Sequence, residues 1–178
     1  MKKVNLVFFL PNFGIGGAGK SITSLCHNLN RNKFSITIIC LKRCYYKKIL
    51  NKVCTKIYEL NNSKASFAQF KIKKILEDLS LKGQKTIFIS NLFYVNALTA
   101  IFQKKNKYLK FIFTERTTLK ELDIYFNFFD FIKKKIIKII LKLLYKRSDL
   151  IISNSKKVAK EIKDFSKARS IGIYPGSF

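Results

Sequence analysis

Short apolar runs alternate with longer segments of helical period along most of the chain. Val4–Leu10 ("VNLVFFL") is apolar at nearly every position, which predicts a strand buried on both faces. A glycine-rich loop and a segment of helical period to about Asn30 follow it, and Ile36–Leu41 ("ITIICL") reads as a second central strand. A basic helix near Tyr45–Lys52 leads to a weaker strand, Lys56–Leu60. Ala65–Leu81 carries Phe67, Phe70, Ile72, Ile75, Leu76 and Leu79 at helical spacing and ends at Gly83.

The alternation then repeats. Thr86–Ser90 reads as a strand, Tyr94–Gln103 as a helix and Phe111–Thr114 as a strand. Phe128–Lys146 reads as a long helix, Leu150–Ser153 as a strand, Ser155–Phe165 as a helix, and "SIGIY" as a last strand. Strands separated by helices of this length predict βαβ units. The expected fold is therefore α/β: a Rossmann-like, doubly wound parallel sheet with helices on both faces. No internal repeat or linker-like stretch divides residues 1–178, so a single domain is expected. Ligands of such sheets bind beyond the carboxyl ends of the strands. That rule directs attention to "PNFGIGGAG", "SNLFY", "TERTT" and "SNSKK".

Composition narrows the chemistry. The formal net charge is +26, carried almost wholly by lysine, with arginine only at positions 31, 43, 116, 147 and 169. Such a field draws nucleic acid, anionic membrane or phosphorylated ligands. No RNA- or DNA-reading motif accompanies it, so nucleic acid is not expected as a partner. The abundance of Lys, Asn, Ile and Phe also matches what AT-rich coding produces. Cys26, Cys40, Cys44 and Cys54 form no C-x-x-C pair, and His27 is the only histidine, so no metal site is expected. The apolar run that ends at Pro11 is too short for a signal peptide, and no run of the length needed to span a bilayer occurs. A cytoplasmic protein is expected.

The loop "GIGGAGKS", residues 14–21, satisfies two phosphate-binding patterns. As a Walker A loop it uses Gly14, Gly19, Lys20 and Ser21; as a dinucleotide fingerprint it uses Gly14, Gly16 and Gly19. A Walker A lysine needs a magnesium-holding acid at the end of a second strand. The strands here end in Leu41, Ser90–Asn91, Thr114–Glu115 and Ser153–Asn154, so only Glu115 is available. The dinucleotide reading needs an acid after the second strand, where Lys42 stands instead. A P-loop nucleotide-binding protein and a non-catalytic module that docks on membranes or a partner stay open as alternatives.

The order of motifs gives a third reading. "VFFLPNFGIGGAGKSITSLCHNLN" followed by "KFSITIICL" resembles the opening of family 4 glycosyltransferases of the GT-B fold. "FIFTERTTLKE", "LLYKRSDLIISNSKKVAKEI" and "RSIGIYP" resemble, in order, later segments of the same family. The resemblance implies one half of a GT-B architecture, the acceptor-side amino-terminal domain. It implies a retaining, metal-independent hexosyl transfer with no cofactor and a nucleotide-diphosphate sugar as donor. The acceptor would be a glycan or a lipid-linked glycan in polysaccharide or lipopolysaccharide biosynthesis. The donor-binding half, with the family's paired glutamates, lies outside these 178 residues and would come from elsewhere. "IYPGSF" stands where the family has an Asn-Pro crossover.

Candidate substrate-binding residues follow, each with a plainer explanation; no catalytic residue is singled out. Gly14, Gly16 and Gly17 would let the loop backbone approach a donor phosphate, or else serve a turn that needs positive φ. Glu115 and Arg116 would contact the acceptor by resemblance, or else form a surface ion pair. Asn91 and Asn154 close strands at the expected binding edge. Ser155 adjoins Asn154, although helix capping alone accounts for it. In Phe128–Arg147 the positions Ile132, Ile136, Ile137, Ile140, Leu141 and Leu144 would pack a core, or the basic segment would lie peripherally against anionic lipid on the inner face of the membrane.

Overall fold

The computed structural model describes residues 3–14, 16–61, 65–81, 83–104 and 107–174. Their elements run β1 (Val4–Leu10), α1 (Gly17–Asn28), β2 (Phe34–Cys40), α2 (Lys47–Leu50), β3 (Lys56–Glu59), α3 (Ala65–Leu81) and β4 (Thr86–Asn91). They continue as α4 (Phe93–Phe102), β5 (Leu109–Glu115), α5 (Phe128–Leu144), β6 (Leu150–Ser153), α6 (Lys156–Ser166) and β7 (Ser170–Gly172). Single 3-10 turns stand at Leu119–Asp123 and Tyr145–Arg147. The seven strands form one sheet in the order β3-β2-β1-β4-β5-β6-β7. This is the expected Rossmann-like arrangement, with the order reversing after β1. Contacts cluster into two compact units, Met1–Ile89 with Lys104–Lys110 and Ser90–Gln103 with Phe111–Phe178.

In the first unit β1 pairs in parallel with β2 from Val4↔Phe34 to Leu10↔Cys40, and β2 pairs with β3 from Thr37↔Lys56 to Cys40↔Glu59. Leu6, Phe8 and Leu10 on one face of β1, and Val7 and Phe9 on the other, are all buried, which is why the run is apolar throughout. Phe13, Ile22, Cys26, Ile36, Ile38 and Leu50 complete the core around the first of these faces. Phe9 meets Phe88 at 5.7 Å between ring centroids. Arg31 closes the end of α1: Nε donates to Leu29 O at 3.0 Å, and the two terminal nitrogens donate to the carbonyls of Val53 and Cys26. A planar fork suits that three-carbonyl site better than an ammonium would. The expected basic helix over Tyr45–Lys52 is only the single turn α2. A bridge between Phe13 and Cys44 and the bond from Cys44 N to Glu59 Oε1 at 2.9 Å fix the chain before it in a non-helical path.

In the second unit β5 pairs in parallel with β6, Ile112↔Leu150 to Glu115↔Ser153, and β6 with β7, Ile151↔Ser170 to Ser153↔Gly172. Phe111, Phe113 and Ile151 are fully buried. Phe111 N donates to Asp149 Oδ2 at 2.8 Å, tying the start of β5 to the turn before β6. Helix α5 begins at an Asn127 cap that accepts from Asp130 N at 2.8 Å. The expected core stripe of this helix is only half realised. Ile137 and Leu141 are buried, but Ile132 is 39% and Ile136 52% exposed. The apolar arc of α5 is wider than the surface that covers it.

Candidate functional site

The carboxyl ends of β4, β5 and β6 within the second unit carry a connected polar network. Glu115, the last residue of β5, is 1% exposed. Its Oε1 accepts from Asn96 Nδ2 at 2.7 Å and from the Tyr145 hydroxyl. Asn96 also donates to Thr114 O at 2.9 Å and accepts from Ser90 Oγ at 2.5 Å. Tyr145 is fixed in turn by its ring, 5.2 Å from that of Phe113. Burial opposes ionisation of Glu115, while the two donated hydrogen bonds favour it. Burial wins and pushes the carboxyl up to about 8, so the side chain is mostly neutral at pH 7. Tyr145 is held well above its ordinary range, first by burial and then by the neighbouring Glu115. Among the described residues the buried Glu115 Oε2 has no hydrogen-bond partner, which fits a neutral carboxyl better than a carboxylate.

Arg116 follows directly and is half-buried, with burial lowering its pKa. Asn154 holds the backbone beneath it: its amide nitrogen donates to Glu115 O at 3.1 Å and its Nδ2 to Arg116 O at 2.6 Å. Asn91 is buried at the end of β4 and accepts from Thr114 Oγ1. Leu92, next along, has φ 77° and ψ 145°, a region normally left to glycine, and its N donates to Thr114 O at 3.1 Å. Ser155 caps α6, its hydroxyl accepting from Val158 N at 3.2 Å. Ser155→Ala is therefore expected to lower stability by about 1 kcal/mol in urea unfolding. Of the expected residues, Asn91, Glu115, Arg116 and Asn154 belong to this one network, Ser155 serves the helix, and Glu115 faces inward.

Sequence reasoning missed Ser90, Leu92, Asn96 and Tyr145. Asn96 left a trace, a lone amide in the apolar run "FYVNALTAIF", where a fully buried amide must find partners. Tyr145 left none, because it sits inside a lysine-rich segment. Arginine's scarcity in this lysine-rich chain does not by itself mark a ligand site. Arg147 donates to Ala100 O at 3.5 Å and Gln103 O at 3.3 Å at the end of α4, a structural use like that of Arg31.

Gly14, Gly16 and Gly17 belong to the first unit, between β1 and α1. Gly16 is the N-cap of α1, with φ −68° and ψ 161°, and no side chain caps the helix. Among the described glycines only Gly83 has positive φ, so the turn does not need glycine for its backbone angles. A Cβ at Gly16 or Gly17 would meet nothing within 4 Å, whereas one at Gly19 would lie 2.7 Å from Gly14 O. Gly19 is thus required by packing. The bare backbone at Gly16 and Gly17, beside an uncapped helix N-terminus, is an opening suited to an anion.

Among the described residues no group of His, Cys, Asp or Glu is placed to hold a metal ion, and no helix is long and apolar enough to cross a membrane. The cysteines are free thiols.

Several solved structures share this fold, two of them as follows. One is Anabaena HepE in complex with UDP and glucose, at 14% identity and TM-score 0.66, covering 98% of this chain and 45% of that one. The other is Phytolacca americana UGT2 complexed with UDP-2fluoro-glucose and pterostilbene, at 10% identity and TM-score 0.62, covering 98% of this chain and 54% of that one. The chain thus spans about half the length of either structure. Among curated protein sequences none matches it. Neither structural match nor the family match supports a nucleoside-triphosphatase reading of the glycine loop. The sequence model of Glycosyltransferase Family 4 matches residues 15–176, nearly the whole chain, and the chain belongs to that family.

Proposed function

We propose that the chain is the acceptor-side domain of a retaining, metal-independent glycosyltransferase. It takes part in moving a hexose from a nucleotide-diphosphate sugar to a glycan or lipid-linked acceptor, in polysaccharide assembly at the inner face of the membrane. The observation that carries the reading is the family match over residues 15–176. A donor-binding half, on a second domain or another chain, completes the enzyme.

Residue roles follow from charge and access. The first-turn amides of α1, beside the bare Gly16 and Gly17, supply partial positive charge for the donor diphosphate as it leaves. Gly14, next to the Asn12 side chain, sets the entry of that loop. Arg116 offers a planar fork of donors to phosphate or sugar hydroxyls of the acceptor. Glu115, Asn91 and Asn154 hold the backbone that presents it, acting as positioning residues.

The test is radiolabelled hexose transfer from UDP-hexoses to membrane lipid, with the donor-binding half present. Gly17→Leu and Arg116→Ala are each expected to lower transfer at least about tenfold, as removal of one charge-stabilising contact does. Their urea midpoints stay near wild type, and chelator leaves transfer unchanged. Magnesium-dependent hydrolysis of ATP or GTP that disappears in Lys20→Ala would overturn the reading in favour of a P-loop enzyme.

A further inference from the structure

Helix α5 has an apolar row that the protein leaves uncovered. Ile132, Ile136, Ile139 and Leu143 recur at alternating spacings of four and three, which places them on one helix face. They are 39%, 52%, 57% and 58% exposed, while Ile137 and Leu141 face the core. At the amino-terminal end the row opens onto three aromatic rings, Phe126, Phe128 and Phe129, exposed by 87%, 70% and 82%. Such a continuous apolar surface on a folded domain marks a contact.

Charge decides which contact. From Phe128 to Arg147 there are seven basic residues and one acid, Asp130. Lys134 is engaged with Asp130 at 3.1 Å, and Lys138 with Asp123 at 2.6 Å. Lys135 and Lys142 are exposed and border a shallow groove of about 270 Å³ that also includes Ile139, Tyr125 and Leu122. A second copy of the helix laid on this row would bring lysine against lysine, because the acids beside the row, Asp130 and Asp123, are already engaged by Lys134 and Lys138. A surface of fixed negative charge with an apolar interior matches both features: rings and aliphatic side chains enter the acyl boundary while lysine stems reach back to the headgroups. The helix is not long and apolar enough to span a bilayer.

We infer that the outer face of α5, led by Phe126 and Phe129, seats this protein on an anionic lipid bilayer. The inference stands on the second unit alone and does not depend on which sugar is transferred.

Co-sedimentation of the purified protein with vesicles tests it. Vesicles of phosphatidylcholine with phosphatidylglycerol are expected to carry the protein down, and phosphatidylcholine alone to leave most of it in solution. Lys135→Glu with Lys142→Glu is expected to weaken binding roughly tenfold or more, since each basic residue near a charged leaflet adds measurably to affinity. Phe126→Ser with Phe129→Ser is expected to lower binding similarly, at low as well as high salt. These side chains are exposed, so both variants should unfold at the wild-type urea midpoint. Equal binding of wild type and both variants, or equal binding to neutral and anionic vesicles, would overturn the inference. So would a concentration-dependent dimer that Ile136→Ser abolishes, since the row would then belong to a second copy. Sugar transfer to a water-soluble acceptor, measured separately, tells a failure of docking from a failure of the proposed activity.

Discussion

Urea unfolding is expected to show a stability that falls as the pH rises from about 5 to about 8, with Glu115 as its source. The folded protein holds this carboxyl at about 8 against an ordinary value of 4.5. Between those two values the folded state keeps a proton that the unfolded chain has already released. Each pH unit crossed in that window therefore costs about 1.4 kcal/mol. The contribution is fully present below the ordinary value and is lost as the pH rises through the folded one. The carboxylates shifted the other way, Glu59 and Asp130, act at lower pH. They are ion-paired with lysines and gain stability as the pH rises through the ordinary carboxylate range, so they do not mask the slope.

Two variants assign the effect. Glu115→Gln keeps an oxygen for Asn96 and Tyr145 but has no proton to lose, and it is expected to flatten the curve. Tyr145→Phe removes a hydrogen bond that favours the carboxylate, so it should carry the decline to higher pH. A wild-type curve that is level across the window would mean that Glu115 is ionised inside the fold.

Gly172→Ala is the second large effect, and it is expected to lower stability by about 2–3 kcal/mol. Strand β7 runs past the start of α6, where Gly172 pairs with Ser153. A Cβ at Gly172 would lie 2.5 Å from Lys156 N, 2.6 Å from Ser155 C and 2.7 Å from Lys156 Cα. All three are backbone atoms, so no rotamer change relieves the overlap. Either the strand leaves its place beside β6 or the capped first turn of α6 shifts. Hydrogen exchange at Ile173, whose amide donates to Ser153 O at 2.8 Å, should report the loosening first. Gly16→Ala, which meets no neighbour, is the control and should leave the urea midpoint unchanged. A wild-type midpoint for Gly172→Ala would show that β7 is free to move aside.

The contrast among glycines shows how far a sequence can be read. Four glycines in "GIGGAG" look alike on the page. In three dimensions Gly19 is demanded by the Gly14 carbonyl, Gly16 and Gly17 by nothing nearby, and none of these four by a positive φ. Only the spatial neighbours separate a packing glycine from one left bare. Gly172, the most tightly enclosed, lies in the expected last strand "SIGIY", but nothing in that run shows that the first turn of α6 packs against it. Glu115 is the same lesson in a charged residue. Its place after an apolar strand suggests the mouth of a site, yet Asn96 and Tyr145, 19 and 30 residues away, turn it inward.

By itself the sequence determined the order of strands and helices, the parallel α/β class and the family. Those properties depend on local periodicity: β1 and β2 are apolar because both faces are covered, and the intervening helices carry apolar residues at helical spacing. The sequence also directed attention to the chain segments after β4, β5 and β6, since topology alone sends the ligands of such sheets to that edge. Only the tertiary structure decided which of those residues turn into the interior, which glycines are obligatory and how much of α5 is covered. Each of these is settled by contacts between segments far apart in the chain, and periodicity along one segment carries no record of what will pack against it.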